Sequence, residues 1–237
     1  MARRLTRKQI KKDEFVTVID RATHWLGQNW RQAAIGLGGA VLVGLVYWGV
    51  TAFLASRSTS AGEGLGRALE TYNAPVGAAA PADAKIKFAT ETERTRAAEE
   101  GFKRIASRYW LTPQARMAKL YLARIAADRG DVAAARRQLE ALAAKRTDEP
   151  VVRMAMLDLV RLRAAAGEGE QVAKELEAMA AGTDPRLPAD LALRELARVW
   201  ERAGKPEQAG KALRRLVDEH SDSPFAAEAR QQLAANS

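Results

Sequence analysis

Leu122 to Leu142 reads LARIAADRGDVAAARRQLEAL, two short stretches rich in alanine and leucine that meet at Gly130 and Asp131. Apolar and small residues recur at helical spacing on both sides of the glycine, and alanine, leucine, arginine and glutamate are strong helix formers. Glycine closes a helix readily because it adopts the left-handed backbone that a tight turn requires. The stretch predicts a helix, a tight turn and a second helix.

The arrangement returns along the chain. Gly130, Gly167 and Gly204 lie 37 residues apart. Pro113, Pro150 and Pro224 keep the same interval, with Pro188 one place past the mark that would complete the series. Proline suits the first turn of a helix, where its missing N–H would have no partner anyway, and Thr112 and Ser223 stand in front of it as caps. Packing positions repeat as well. Leu122, Leu159 and Leu196 form one series, and Ala123, Val160 and Ala197 the next. In the second helices the series are Ala135, Val172, Ala209, then Leu139, Leu176, Leu213, then Leu142, Met179, Leu216. Small residues at close crossings with large ones three and four places along are what stacked hairpins need to bury a continuous core.

This pattern resembles the tetratricopeptide repeat family. Leu122 and Ala123 match its first helix, Gly130-Asp131 its turn and Ala135 the small residue of its second helix. The resemblance covers Leu111 to about Leu233, placing repeats in 111–237 with a capping helix over 224–235. The period departs from the family's usual ~34 residues, and Trp200 alone supplies an aromatic at the usual first-helix positions. The implied fold class is all-α, an α-solenoid of helical hairpins.

Continued backward, the grid puts Ala98, Phe102 and Ile105 one period before Ala135, Leu139 and Leu142. Glu91 to Tyr109 then forms the second helix of an earlier, irregular hairpin, and Ser60 to Tyr72 its first. Residues 73–84, NAPVGAAAPADA, read as a flexible loop, and Gly62, Gly64 and Gly66 as a hinge, within a segment 56–110.

Residues 33–55, AAIGLGGAVLVGLVYWGVTAFLA, carry no charge over 23 residues. That is ~34 Å of helix, enough to cross a hydrocarbon core of about 30 Å. Its ten Ile, Leu, Val and Phe residues favour insertion by about 3–6 kcal/mol. One transmembrane helix is expected. Gly36, Ala40 and Gly44 share a face on which another helix could approach closely. Residues 1–32 hold eight basic and three acidic side chains, against a single Arg57 close behind the span. Basic residues stay on the cytoplasmic side, so the N-terminus is expected inside and residues 56–237 outside. Phe15, Ala22, Trp25 and Trp30 within the tail fit an amphipathic helix whose basic residues meet anionic lipid.

Beyond the tail the charges nearly balance, thirty basic against twenty-six acidic, which gives little support to nucleic-acid binding. The chain has no cysteine, so thiolate chemistry and disulfides are excluded. His24 and His220 have no ligand partner at metal spacing, and neither a nucleophilic triad nor a phosphate-binding glycine motif is present. The sequence predicts no catalytic site, no cofactor and no small-molecule substrate.

Arg124, Arg161 and Arg198 form another 37-residue series, at the first-helix position that in tetratricopeptide domains faces a groove. Met117, Met154 and Leu191 precede them by seven residues, and Leu120, Leu157 and Arg194 by four. Together these nine residues would bind a protein segment bearing acidic residues. The competing expectation is that the arginines pair with Asp128, Asp158 and Glu201 of the same domain.

A basic tail, one span and an exported repeat domain together resemble the YfgM-like ancillary subunits of the SecYEG translocon. The resemblance rests on this architecture and on segments such as Phe102–Asp131 and Asp190–Ala209. It implies a non-catalytic inner-membrane scaffold whose partners are translocon subunits and periplasmic chaperones or client segments. An envelope-assembly or division adaptor and an anchored regulatory subunit of an enzyme are the alternatives.

Overall fold

The computed structural model describes residues 30–77, 81 and 84–235. The expected amphipathic tail helix with Phe15 and Trp25, and His24, lie outside the described residues. The chain divides into two units, 1–56 and Arg57–Ser237.

Among the described residues the helices are α1 (Trp30–Tyr72), α2 (Glu91–Arg108), α3 (Pro113–Asp128), α4 (Val132–Ala143), α5 (Pro150–Ala165), α6 (Gly169–Ala180), α7 (Ala189–Arg202), α8 (Pro206–Glu219) and α9 (Ala226–Ala235). In the first unit, α1 contains an 18-residue window of mean hydropathy 1.9, none of it buried, and is long and apolar enough to cross a membrane. Leu42, Val43, Leu45, Val46, Tyr47, Trp48 and Phe53 are all more than half exposed.

The second unit is an all-helical solenoid of hairpins. Its punctuation follows from local chemistry. Thr90, Thr112 and Asp131 accept hydrogen bonds from the backbone N–H groups of Glu93, Ala115 and Ala134, capping α2, α3 and α4. Pro113, Pro150 and Pro206 occupy first turns. Gly130, Gly167 and Gly204 have φ of 82°, 90° and 69°, and each closes the first helix of a hairpin. At the first, Asp131 N–H donates to Ala126 O at 2.9 Å and Gly130 N–H to Ala127 O at 2.9 Å, which satisfies carbonyls the helix leaves open. The 37-residue series lands in the core. Leu139, Leu176 and Leu213, and Ala135, Val172 and Ala209, are all buried, in one cluster from Leu120 to Ala229 except for Ala135.

A second, smaller core lies under the first hairpin. Ala68, Ala98, Phe102, Ile105, Ala118 and Ile125 bury themselves with Leu65, Leu69, Tyr72 and Tyr121 against them. The Tyr72, Phe102 and Tyr121 rings meet at centroid distances of 5.0 to 6.1 Å. Burial, and then the nearby Asp128 carboxylate, push the Tyr72 phenol above its ordinary pKa.

Two expectations are corrected. Gly62, Gly64 and Gly66 form no hinge, because α1 is helical through them. A Cβ added to Gly64 would lie 3.4 Å from Ile105, and one on Gly101 3.1 Å from the Ala68 Cβ, so glycine at these two positions permits close helix crossing. Within the loop 73–84, Gly77 N–H donates to Phe88 O at 2.9 Å and Phe88 N–H to Pro75 O at 3.2 Å, an isolated parallel bridge that ties the loop's start to the segment leading into α2. Finally, the last helix begins at Ala226. Ser223 instead holds the preceding turn, its hydroxyl accepting from Phe225 N–H at 3.2 Å and donating to Asp190 Oδ2 at 2.7 Å.

Candidate functional site

The first helices of successive hairpins, α3, α5 and α7, carry the arginine series. Each guanidinium is already engaged. Arg124 Nε donates to Asp158 Oδ2 at 2.6 Å, and Arg161 grips Glu195 with two hydrogen bonds of 3.0 and 2.8 Å. Arg198 reaches Glu195 on its own helix at 3.3 Å and Glu228 on α9 at 3.6 Å. The result is a ladder of charge pairs running from one repeat to the next.

Its geometry follows from two intervals. Residues three apart on a helix share a face, and Asp158 and Glu195 stand three places before Arg161 and Arg198. An arginine of one repeat therefore meets the acid beside the equivalent arginine of the next. The acid position in the first repeat is Tyr121, and there Arg124 lies over the ring at 5.3 Å. Asp158 was among the acids the sequence offered as partners; Asp128 and Glu201 make no ion pair with the three arginines among the described residues. Glu195 and Glu228 were not among those acids, although Glu195 stands 34 residues after Arg161 just as Asp158 does after Arg124; Glu228 belongs to α9, beyond the repeats.

Glu195 is the anomaly of this face, a carboxylate only 2 % exposed. Two arginines satisfy it, as a buried charge demands. Its hydrogen bonds raise the pKa of Arg161 above the ordinary guanidinium value. Arg124, Arg161 and Arg198 nevertheless keep 31 %, 44 % and 41 % of their side chains exposed. A guanidinium has five N–H donors, so each can take a further acceptor.

The apolar members of the expected site behave differently. Leu120 is fully buried and lines no groove. Met117, Met154, Leu157 and Leu191 are partly buried and pack against the main core. Arg194 is spent on the cap, pairing with Glu228 at 3.1 Å and lying 4.6 Å over the Phe225 ring. Of the nine residues, the three arginines of the series are the ones left facing outward with donors to spare.

A second set of ion pairs fastens the second helices and turns. Arg129 pairs with Glu99, Arg136 with Glu168 and Lys205 with Glu170, while Arg215 reaches Glu177 at 2.7 Å. Between α6 and α7, Asp184 is clasped by Arg186 at 2.5 Å and Arg146 at 3.0 Å. Among the described residues no group of three His, Asp or Glu could hold a metal ion. His220 ends α8, its backbone N–H donating to Leu216 O. On α1, nothing lies within 4 Å of a Cβ added at Gly36 or Gly44, and Ala40 is exposed.

The fold resembles the nearly identical TPR-like repeats of a Podosopora anserina protein, at 22 % identity and a TM-score of 0.46, covering 61 % of this chain and 78 % of that one. A single-substitution variant of that protein matches at 22 % identity and a TM-score of 0.45, over 61 % and 77 % of the two chains. No curated protein matches the sequence. Residues 23–186 match the family described as the tetratricopeptide repeat-like domain, and over that span the chain belongs to it.

Proposed function

We propose that the chain is a non-catalytic protein-interaction scaffold tethered to the bacterial inner membrane. The segment 33–55 crosses the bilayer, residues 1–32 remain in the cytoplasm on anionic lipid, and the repeats stand in the periplasm. One observation carries this reading: the apolar window of α1 is wholly uncovered. Leaving Ile, Leu, Val and Phe side chains in water costs about 1.5–3 kcal/mol each, and a lipid environment removes that cost. Gly36, Ala40 and Gly44 then offer a close-approach face to a second membrane helix.

Tetratricopeptide-like domains bind protein partners. On this chain the spare donors of Arg124, Arg161 and Arg198 form the row that an acidic segment would meet. With the tether and the resemblance to YfgM-like proteins, the reading specifies an accessory of the Sec translocon that engages periplasmic chaperones or emerging clients.

Two measurements test it. Alkaline phosphatase fused after Ser237 is expected to be active and a fluorescent protein at the same place dark; the reverse pattern removes the topology. Crosslinking in intact membranes is expected to recover translocon subunits, and recovery confined to cytosolic proteins removes the assignment.

A further inference from the structure

The first hairpin carries a cleft of about 640 Å3 between α1 and α2, and none of its lining residues belongs to α3. Small and apolar groups, Gly64, Ala68, Gly101 and Ile105, make its floor. Arg67, Arg104 and Arg108 stand along it, opposed by one lining carboxylate, Glu70. All three arginines are exposed, and none has an ion-pair partner among the described residues. Their neighbours Arg94, Arg116, Arg124 and Arg129 are all paired. A fourth guanidinium, that of Arg57, donates to Arg108 O at 2.6 Å and adds positive charge at this end.

The other end of the solenoid shows what fills a surface of this kind. There α9 buries Ala226 and Ala229 at 0 % and 2 % exposure, while Glu228 between them bridges Arg194 and Arg198 at 3.1 and 3.6 Å. Small residues make the contact and a glutamate answers the arginines. The α1–α2 cleft presents the matching half of that arrangement: a small-residue floor, arginines along it and no helix in place among the described residues. The chain's own leader is a poor occupant, since residues 1–32 carry eight basic and three acidic groups, which the arginines repel.

We propose that this cleft is a docking site for an α-helix of another protein that presents alanine-sized residues along one face and acidic residues beside them. The proposal rests on the scaffold reading and adds a second surface, distinct from the ladder on α3, α5 and α7. Helix-in-groove recognition of this type takes its affinity from the apolar floor and its choice of partner from the charged rim.

The test uses the full chain in mild detergent and an end-blocked, fluorescein-labelled alanine-rich helical peptide with glutamates along one edge, read by fluorescence anisotropy. A counterpart with lysines in place of the glutamates is the control. Saturable binding of the glutamate peptide is expected, at least about tenfold tighter than the lysine peptide, with that preference lost in the double variant Arg104→Glu, Arg108→Glu. Ala97→Trp, which fills the cleft without changing charge, is expected to abolish binding while the helical circular-dichroism spectrum stays unchanged. Equal affinity for both peptides, no binding, or full binding by either variant overturns the proposal. So does binding to phosphatidylglycerol vesicles that requires Arg104 and Arg108 while the peptide is ignored, because the occupant is then a lipid surface. None of these outcomes bears on the topology reporters, so the tethered scaffold stands or falls separately.

Discussion

The second helix of the first hairpin and the whole of the last fall on one repeat period, yet different chemistry holds the two hairpins. The first packs around aromatic rings, with Phe102 stacked on Tyr121 at 5.0 Å and Tyr72 edge-on to both. The last packs aliphatic residues, Leu193, Leu196, Leu213 and Leu216, under a capping helix fastened by Glu228. At one end arginines are paired from repeat to repeat; at the other, Arg67, Arg104 and Arg108 have no ion-pair partner among the described residues. In a stacked array each hairpin draws stability from itself and its neighbours. The period therefore fixes where helices fall, while the residues between its marks decide how each end is closed.

The largest effect that would break this comparison is expected from Phe102→Ala. Phe102 is fully buried, and truncating such a ring costs about 3–5 kcal/mol. Urea denaturation should record the loss, and hydrogen exchange should place it in α2 and α3, with α7 and α8 still protected. Equal loss of protection at both ends would mean that the two cores unfold as one.

Glu195→Gln probes the other end. It keeps the volume but removes the charge that Arg161 and Arg198 share. Hydrogen bonds to a charged group contribute about 1.5–3 kcal/mol, and because both arginines are more than two-fifths exposed, solvent screening brings the expected cost to about 1–2 kcal/mol. Coupling to Arg161→Gln in a double-mutant cycle should account for much of it. A coupling of zero would leave the ladder as ornament, with packing alone joining α5 to α7.

The repeat was legible because proline and glycine act through their own covalent structure. Pro113, Pro150 and Gly130 open and close helices wherever they occur, and a single sequence displays their spacing. The hinge at Gly62–Gly66 was misread for the opposite reason. Glycine also permits close packing, and whether Ile105 lies beside Gly64 is a property of the assembled hairpin. Leu120 was misplaced in a similar way. Four residues before Arg124 puts it near the same helical face, but the neighbouring helix covers that edge and buries it completely. The ladder was half visible: Asp158 could be named as an acid near the series, but which arginine an acid meets, Arg124 for Asp158 and Arg161 for Glu195, is set by how adjacent repeats slide past one another.

Acid sharpens the comparison with the smallest expected effect. Hydrogen bonds from Arg186 hold the Asp184 carboxyl below the ordinary carboxylate range, despite partial burial. Glu99, in the first hairpin, is held low by Lys103 and then, again against burial, by Arg129. A folded pKa below the unfolded one means that the unfolded chain binds more protons in the interval between them. The stabilisation is thus complete only above about pH 5, clear of the unfolded values near 4, and drains away as pH falls through the depressed folded value. Asp184 is 4 % exposed and Glu99 18 %, so screening leaves more of the effect at Asp184. Asp184→Asn should consequently flatten the fall of Tm below about pH 5 more than Glu99→Gln does, with both curves meeting the wild type where all carboxylates are protonated. If Glu99→Gln flattens the curve more, the first hairpin depends on its charges to a greater degree than its aromatic core implies, and the contrast between the two ends weakens accordingly.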